Sequence, residues 1–329
     1  MSLSNALIQL KTLLRISELE ASLGKVSSLV LIPHRDLHRL PLHTLFSLQF
    51  TTTYLPSLQV GLTLKQRATN LNPPANFSLL SLADPRGKHT ERLESAEVEA
   101  TLISQHFHHA TTLPTSQATT QNVITQLEAT DPSASATSGK IFNFSGHAWA
   151  ERQPKHSALH LQGEDRLTAE TICTLDLKDY ELVTLSACET AVTGLQTIES
   201  DYVGLVSAFL TAGAANIIST LWIVESESNA WLMTTFYQHY AAGDSPALAL
   251  KEAQTWLRTL TYPELATWLQ QQQSRLSEAE HSGPYDALSD RIGDIQSDPS
   301  KINSDQPPYA DPYYWAAFTV TGYLAGYSS

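Results

Sequence analysis

Cysteine is scarce. Cys173 and Cys188 are the only two in 329 residues, too few for a disulfide framework. No apolar run approaches the roughly 20 residues that a membrane span needs. The opening segment, MSLSNALIQLKTLLRISELE, lacks the basic region, apolar block and small-residue cleavage site of a secretory leader. These absences predict a reducing, cytoplasmic setting and no membrane partner. Positive charge is also short: 20 Lys and Arg face 33 Asp and Glu, and a net charge of -13 offers no footprint for a phosphate backbone, so no direct nucleic-acid partner is expected. The chain has no G-x-G-x-x-G, no P-loop and no G-x-S-x-G, which removes the dinucleotide, nucleoside triphosphate and serine-hydrolase readings and leaves no cofactor implied. His34, His38 and His43 in PHRDLHRLPLH are separated by Pro41, preceded by Pro33 and have no cysteine near them. His106, His108 and His109 end a surface helix. Neither group predicts a metal site.

What the chain does have is a core. Its 42% hydrophobic and 16% charged residues are the balance of a globular protein. Leu3, Leu7, Leu10 and Leu14 follow helical spacing and predict an N-terminal helix within residues 1–25, read as a possible connection to an upstream region. Strand and helix patterns then alternate: VSSLVLIP (26–33), FSLLSLADP (77–85), helices over 95–107 and 118–129, KIFNFSGH (140–147), ELVTLSAC (181–188), a helix over 200–213, ANIISTLWIV (215–224), and two further helices over SNAWLMTTFYQHYAA and PALALKEAQTWLRTL. Short apolar runs between helical segments predict buried parallel strands in an α/β fold. Residues 270–311 are rich in Ser, Asp, Gln and Pro and predict a mobile insertion, after which PYYWAAFTVTGYLAG returns to core.

In open α/β sheets, functional groups gather where strands end. Three runs deliver a polar residue there: Asp84 after SLLSLA, His147 after KIFNFSG and Cys188 after LVTLSA. An imidazole beside a thiol favours the thiolate and can then protonate a leaving amine, which is enough for acyl transfer. Gly146 permits a tight turn beside the histidine, and Ser186 and Ala187 leave room around the thiol. The backbone NH groups of Ala148 and Cys188 are placed to stabilise an oxyanion. On position alone, the alternative is a buried structural cysteine and a solvated histidine. Cys173, in ETICTLDL, is read as core, and Trp222, Tyr314 and Trp315 as packing, with Trp222 near enough to the rim to line it.

Seven blocks, in order, resemble the CHAT domain family: IPHRDLHRLPLHTLF, LADP with SAEVEATLI, NFSGHA, LVTLSACETAVTG, VGLVSAFLTAGAANIISTLWIV, FYQHY with ALALKEAQ, and DPYYWAAFTVTGY. CHAT domains are caspase-like cysteine peptidases of the broad clan that holds separase, metacaspases and caspases. The resemblance runs from Val26 to Tyr323 and implies a three-layer αβα caspase-like domain over 26–329 with a mostly parallel central sheet. It implies a cysteine endopeptidase acting on a protein substrate, with His147 as general base and acid and Cys188 as the nucleophile that forms a thioester. Many relatives cut after Arg or Lys using acidic pocket residues. Asp84 lies where such an acid would sit, while the segment after the Trp222 block departs from the family pattern and offers Glu225 and Glu227 in its stead. The alternative for each acid is a solvated residue at a helix start, where its charge favours the dipole. Such proteases are controlled by partners or loops, and Arg275, Arg291 and Lys301 in the 270–311 insertion are candidate self-cleavage points. The competing reading is a non-catalytic CHAT-like scaffold or docking module in a regulatory assembly; a transferase that intercepts the thioester is a second.

Overall fold

The computed structural model describes residues 2–67, 76–88, 90–129, 139–149, 151, 153–187 and 202–323. Its centre is an eight-stranded sheet. The strands are β1 (Ser28–Leu31), β2 (Thr51–Tyr54), β3 (Ser78–Ala83), β4 (His109–Leu113), β5 (Lys140–Gly146), β9 (Tyr180–Ala187), β10 (Asn216–Thr220) and β11 (Phe318–Gly322). A second, three-stranded antiparallel sheet holds β6 (Ala148–Trp149), β7 (Ala158–His160) and β8 (Arg166–Thr168). The large sheet runs β1-β2-β11-β10-β9-β5-β3-β4, parallel throughout except where β10 meets β11.

Alternation along the central strands sorts their side chains to two cores. Leu79, Ile141, Leu182, Ile218 and Val320 face the helices Glu94–Ser104, Ser226–Ala241 and Pro246–Thr259. Leu80, Leu82, Phe142, Phe144, Val183, Leu185 and Ile217 face Thr120–Glu128, Ala169–Ile172 and Ser207–Ala212. The result is an αβα sandwich. Burial on both faces explains why these strands read as continuous apolar runs rather than alternating ones. Each large aliphatic or aromatic side chain removed from water contributes about 1.5–3 kcal/mol. Local signals fix the helix starts: Thr119 and Ser245 accept from the backbone NH of Asn122 and Leu248, and Pro246 occupies the first helical turn.

The N-terminal segment forms two helices, Leu3–Leu13 and Ile16–Ser22, of which only the second contributes a buried residue, Ile16. Two expectations are corrected. Residues 270–311 carry helices where the composition predicted none: the helix Tyr262–Gln273 runs into them, and Ser282–Gln296 and Pro299–Ile302 follow, joined by turns. Pro284, Leu288, Ile292 and Ile295 recur every three to four residues and bury one face of Ser282–Gln296. Arg291 lies within that helix, and Lys301 pairs with Asp298 and sits 5.9 Å from the Tyr262 ring, so neither offers the extended backbone a peptidase needs. Cys173 is exposed rather than core, because it follows Ile172 at the end of a short helix that turns Ala169 and Ile172 inward. His43 is buried. Its ring Nδ1 lies 2.9 Å from the Tyr54 hydroxyl, and burial lowers its pKa to about 3.

Candidate active site

The strands β3, β5 and β9 are neighbours and end together. Ala83 is registered opposite Ser145, and Gly146 opposite Ala187. Gly146 is required by close packing: a Cβ there would stand 2.7 Å from Phe144 Cζ and 3.0 Å from Pro85 Cδ. One residue beyond the Gly146–Ala187 pair, β5 reaches His147. One residue beyond it on the neighbouring strand the chain reaches Cys188, which lies outside the described residues.

His147 is 4% exposed, and its Nε2 donates to the Glu91 carbonyl at 2.9 Å. A carbonyl oxygen only accepts, so this bond places the ring proton of neutral imidazole on Nε2 and makes Nδ1 the basic nitrogen. Its own carbonyl accepts from His160 NH at 2.8 Å, the link through which β7 supports the turn into β6. Ala148 opens β6 opposite Leu159. His160 is itself nearly buried, and its ring centroid lies 5.5 Å from that of Trp149. Burial first, then the charges of Arg166 and His147, lower its pKa to about 4, so it stays neutral beside His147 near pH 7.

Asp84 continues the ladder beyond β3, its NH donating to the Ser145 carbonyl at 2.8 Å. Its φ of 42° is in the left-handed region, which costs a non-glycine residue roughly 1–2 kcal/mol. Thr115 Oγ1 donates to the Asp84 carbonyl at 3.2 Å and helps hold that turn. The side chain is 9% exposed; Oδ2 meets Arg86 Nε at 3.3 Å, and Oδ1 has no partner among the described residues.

The two glutamates after the Trp222 block are already engaged. Both oxygens of Glu225 cap the helix Ser226–Ala241, accepting from the NH groups of Glu227 at 3.1 Å and Ser228 at 2.7 Å. Glu227 pairs with Arg291 and lies 3.4 Å from the Tyr309 hydroxyl. Burial raises its pKa, Arg291 opposing. Trp222 Nε1 donates to the Tyr313 carbonyl at 3.0 Å, and its ring packs against both cores.

Sequence reasoning missed the Glu91 carbonyl, which no side-chain pattern reveals. It also missed Glu99 and Asn229, buried behind the strand ends. Glu99 did leave a signal, as an acid flanked by the apolar Val98 and Ala100 with Leu102 and Ile103 following in one helix.

A buried imidazole with its ring proton on Nε2 thus follows the end of one strand, and the described part of the neighbouring strand stops one residue short of Cys188. The family model for the CHAT domain matches residues 3–323. Among solved structures, the chain is similar to Saccharomyces cerevisiae separase in its complex with securin, with a TM-score of 0.51 and 10% identity over 89% of this chain. A second structure of that complex gives 0.50 and 13% over 89%. The complex of Porphyromonas gingivalis RgpB pro- and mature domains gives 0.42 and 11%, covering 83% of this chain and 55% of that one. The chain spans about 15% of the length of the separase chain. No curated protein matches it. At identities this low, the likeness to separase shows a shared fold alone.

Proposed function

The chain belongs to the CHAT domain family, and from that premise we propose that it is a cysteine endopeptidase that hydrolyses peptide bonds of a protein substrate through His147 and Cys188. The carrying observation is the registered pair Gly146–Ala187 together with the bond from His147 Nε2 to the Glu91 carbonyl. The first sets Gly146 and Ala187, the residues that precede the histidine and the cysteine in sequence, opposite each other on adjacent strands, which supports the pairing. The second leaves Nδ1 to take the thiol proton.

In this reading Nδ1 removes the proton from Cys188, and the thiolate attacks the scissile carbonyl. The backbone NH groups of Ala148 and Cys188 receive the developing oxyanion. The tetrahedral intermediate collapses as imidazolium passes its proton to the leaving amine, leaving a thioester on Cys188. Water, deprotonated by His147, then attacks the thioester, and the acid product leaves as the thiol is restored. No metal or cofactor is needed to balance these steps.

For the residue before the cleaved bond we propose Arg or Lys, read by Asp84. Of the three acids considered, Asp84 keeps an oxygen with no partner among the described residues, whereas Glu225 is occupied as a helix cap and Glu227 by Arg291. Trp222 is assigned to the rim, packing beside the pocket. An activating partner protein fits a fold of this class. No helix among the described residues is long and apolar enough to cross a membrane; the scarcity of cysteine supports a reducing, cytoplasmic setting.

Hydrolysis of fluorogenic peptides that differ only in this residue tests the proposal. Turnover of Arg and Lys peptides, lost in Cys188→Ala and in His147→Ala and shifted away from basic residues in Asp84→Asn, is the expected result. Equal turnover of Arg and Asp peptides by a protein that Cys188→Ala silences would retain the peptidase and reject the basic pocket. The non-catalytic scaffold is favoured only if folded protein, with and without candidate partners, cleaves none of the set.

A further inference from the structure

His147 is held from two sides, and both holds lead to one turn. Its main chain belongs to the small sheet: the His160 NH donates to its carbonyl, and Ala148 is registered opposite Leu159. Its ring meets the Glu91 carbonyl, in the segment that joins β3 to the helix Glu94–Ser104. The described residues of that segment form neither helix nor strand, so its place is set by what it touches.

What it touches is the turn between β7 and β8. The Leu161 NH donates to the Asp165 carbonyl at 2.9 Å and the Asp165 NH to the Gln162 carbonyl at 3.1 Å, which closes residues 161–165 into a turn. Gly163, in its middle, exchanges two backbone hydrogen bonds with the segment. Its NH donates to the Arg86 carbonyl at 3.0 Å, and its carbonyl accepts from the Lys88 NH at 2.7 Å, a parallel bridge opposite Gly87. The Gly87 carbonyl in turn accepts from Thr90, from the NH at 3.3 Å and from Oγ1 at 3.1 Å, and Glu91 follows Thr90 in the chain. The turn is itself anchored beside the helix Thr120–Glu128, where Asp165 Oδ2 accepts from the Thr120 NH at 2.8 Å and the Gln162 NH donates to the Ala118 carbonyl at 2.9 Å. The bonds close a circuit: from the His147 carbonyl along β7 to Gly163, across to Gly87, through Thr90 to the Glu91 carbonyl, and back to His147 Nε2.

Within this circuit Gly163 makes the strictest demand on residue type. Its φ is +66°, in the left-handed region, while a Cβ there would meet no atom within 4 Å. Backbone conformation, and not space, therefore selects glycine; asparagine enters this region readily and a β-branched residue does not. We propose that Gly163 is a positioning residue for His147: it clamps the segment that carries the Glu91 carbonyl and so fixes the ring proton on Nε2. The inference rests on the peptidase reading for what Nδ1 then does, and on the hydrogen bonds alone for where the proton sits. If the carbonyl moves away, the neutral ring loses the acceptor that selects Nε2–H. The Nδ1–H form then becomes populated, and in that form Nδ1 cannot take a proton.

The test is the tautomer of His147, read from its two ring nitrogen shifts by long-range proton–nitrogen NMR at about pH 8, above the ordinary imidazole pKa of about 6.5. The signals are assigned by their disappearance in His147→Ala. Wild-type, Gly163→Asn, Gly163→Ala and Gly163→Val are compared, with urea unfolding of each. Wild-type and Gly163→Asn should show Nε2–H. In Gly163→Val the two nitrogen shifts should move toward each other as Nδ1–H appears, with Gly163→Ala between. For the Arg peptide, kcat/KM should fall about 100-fold in Gly163→Val, through kcat with KM little changed, and recover in Gly163→Asn; a misplacement of ~1 Å produces a loss of that size. A glycine that serves the turn alone would lower stability and leave the tautomer of the folded protein unchanged. Should Gly163→Val fail to fold, Gly163→Ala decides, because its methyl group meets nothing and only the backbone is perturbed. Wild-type nitrogen shifts in the folded Gly163→Val, or in Gly163→Ala where valine does not fold, overturn the role of Gly163. A protein that shows the expected tautomer changes yet turns over no peptide retains the clamp and rejects the peptidase.

Discussion

Raising the pH through neutrality should cost this protein stability through Glu99, and replacing that residue by glutamine should remove the cost. The pKa of Glu99 is about 8 in the fold against 4.5 for the ordinary side chain. Between those values the native state holds a proton that the unfolded chain has released. The stabilisation tied to that proton is fully present below about pH 4.5 and is lost as pH rises through 8. At about 1.4 kcal/mol per unit, the loss is on the order of 5 kcal/mol across the window, a large share of a typical folding free energy. Glutamine keeps the shape and the oxygen that Asn229 Nδ2 bonds, and it does not titrate. Other groups move in other directions: the lowered pKa values of His43, His106 and His160 add stability as pH rises from acid toward neutrality. The informative quantity is therefore the difference between wild-type and Glu99→Gln, measured by urea unfolding at about pH 5, 7 and 9. The variant should gain on wild-type by several kcal/mol between the first and last of these. A difference that is constant with pH would mean that Glu99 is ionised in the fold and that the argument from its neutrality is wrong.

Glu225→Ala should lower stability by about 1 kcal/mol through loss of the helix cap, with no change in peptide preference, because both its oxygens already serve the backbone; a change in preference would return Glu225 to the pocket. Arg291→Met should destabilise by about 1–3 kcal/mol in thermal or urea unfolding, since it strips a partly buried Glu227 of its counter-charge. An unchanged transition would show that the pair contributes nothing. Gly146→Ala should cost about 1–3 kcal/mol and slow Cys188 alkylation, because its methyl group would press on Phe144 and Pro85 beside the rim; wild-type stability would mean that those rings yield freely.

The sequence and the structure agree most where burial is deepest. The strands β3, β5, β9 and β10 are apolar runs because both faces are covered, and their ends carry Asp84 and His147 as the pattern predicts. Strands without an apolar run were harder to read. Thr51–Tyr54 and His109–Leu113 are polar strands, and β4 exposes four of its five residues, so little apolar signal marks it. The strands β6 to β8 span only two or three residues each, too short for any period to register. Residues 270–311 misled by composition: the stripe Pro284, Leu288, Ile292, Ile295 is present, diluted by the Ser, Asp and Gly of the solvent face. At the site, the family blocks indicated the histidine, while the carbonyl that orients it comes from a loop 56 residues upstream and leaves no trace in side-chain chemistry. The roles of Glu225 and Glu227 could not be separated from sequence, because an N-cap, an ion-pair partner and a pocket acid are all glutamates near a helix start.

The central claim is a reactive thiol at Cys188 that depends on His147. It is tested most directly by incubating the folded protein with a peptide acyloxymethyl ketone carrying Lys or Arg at the cleaved position and locating the adduct by mass spectrometry. An adduct on Cys188 and none on the exposed Cys173, abolished by His147→Ala and weaker with an acidic peptide, is the expected result. An adduct that forms equally in His147→Ala, or none with any peptide in the presence of candidate activators, would contradict the claim.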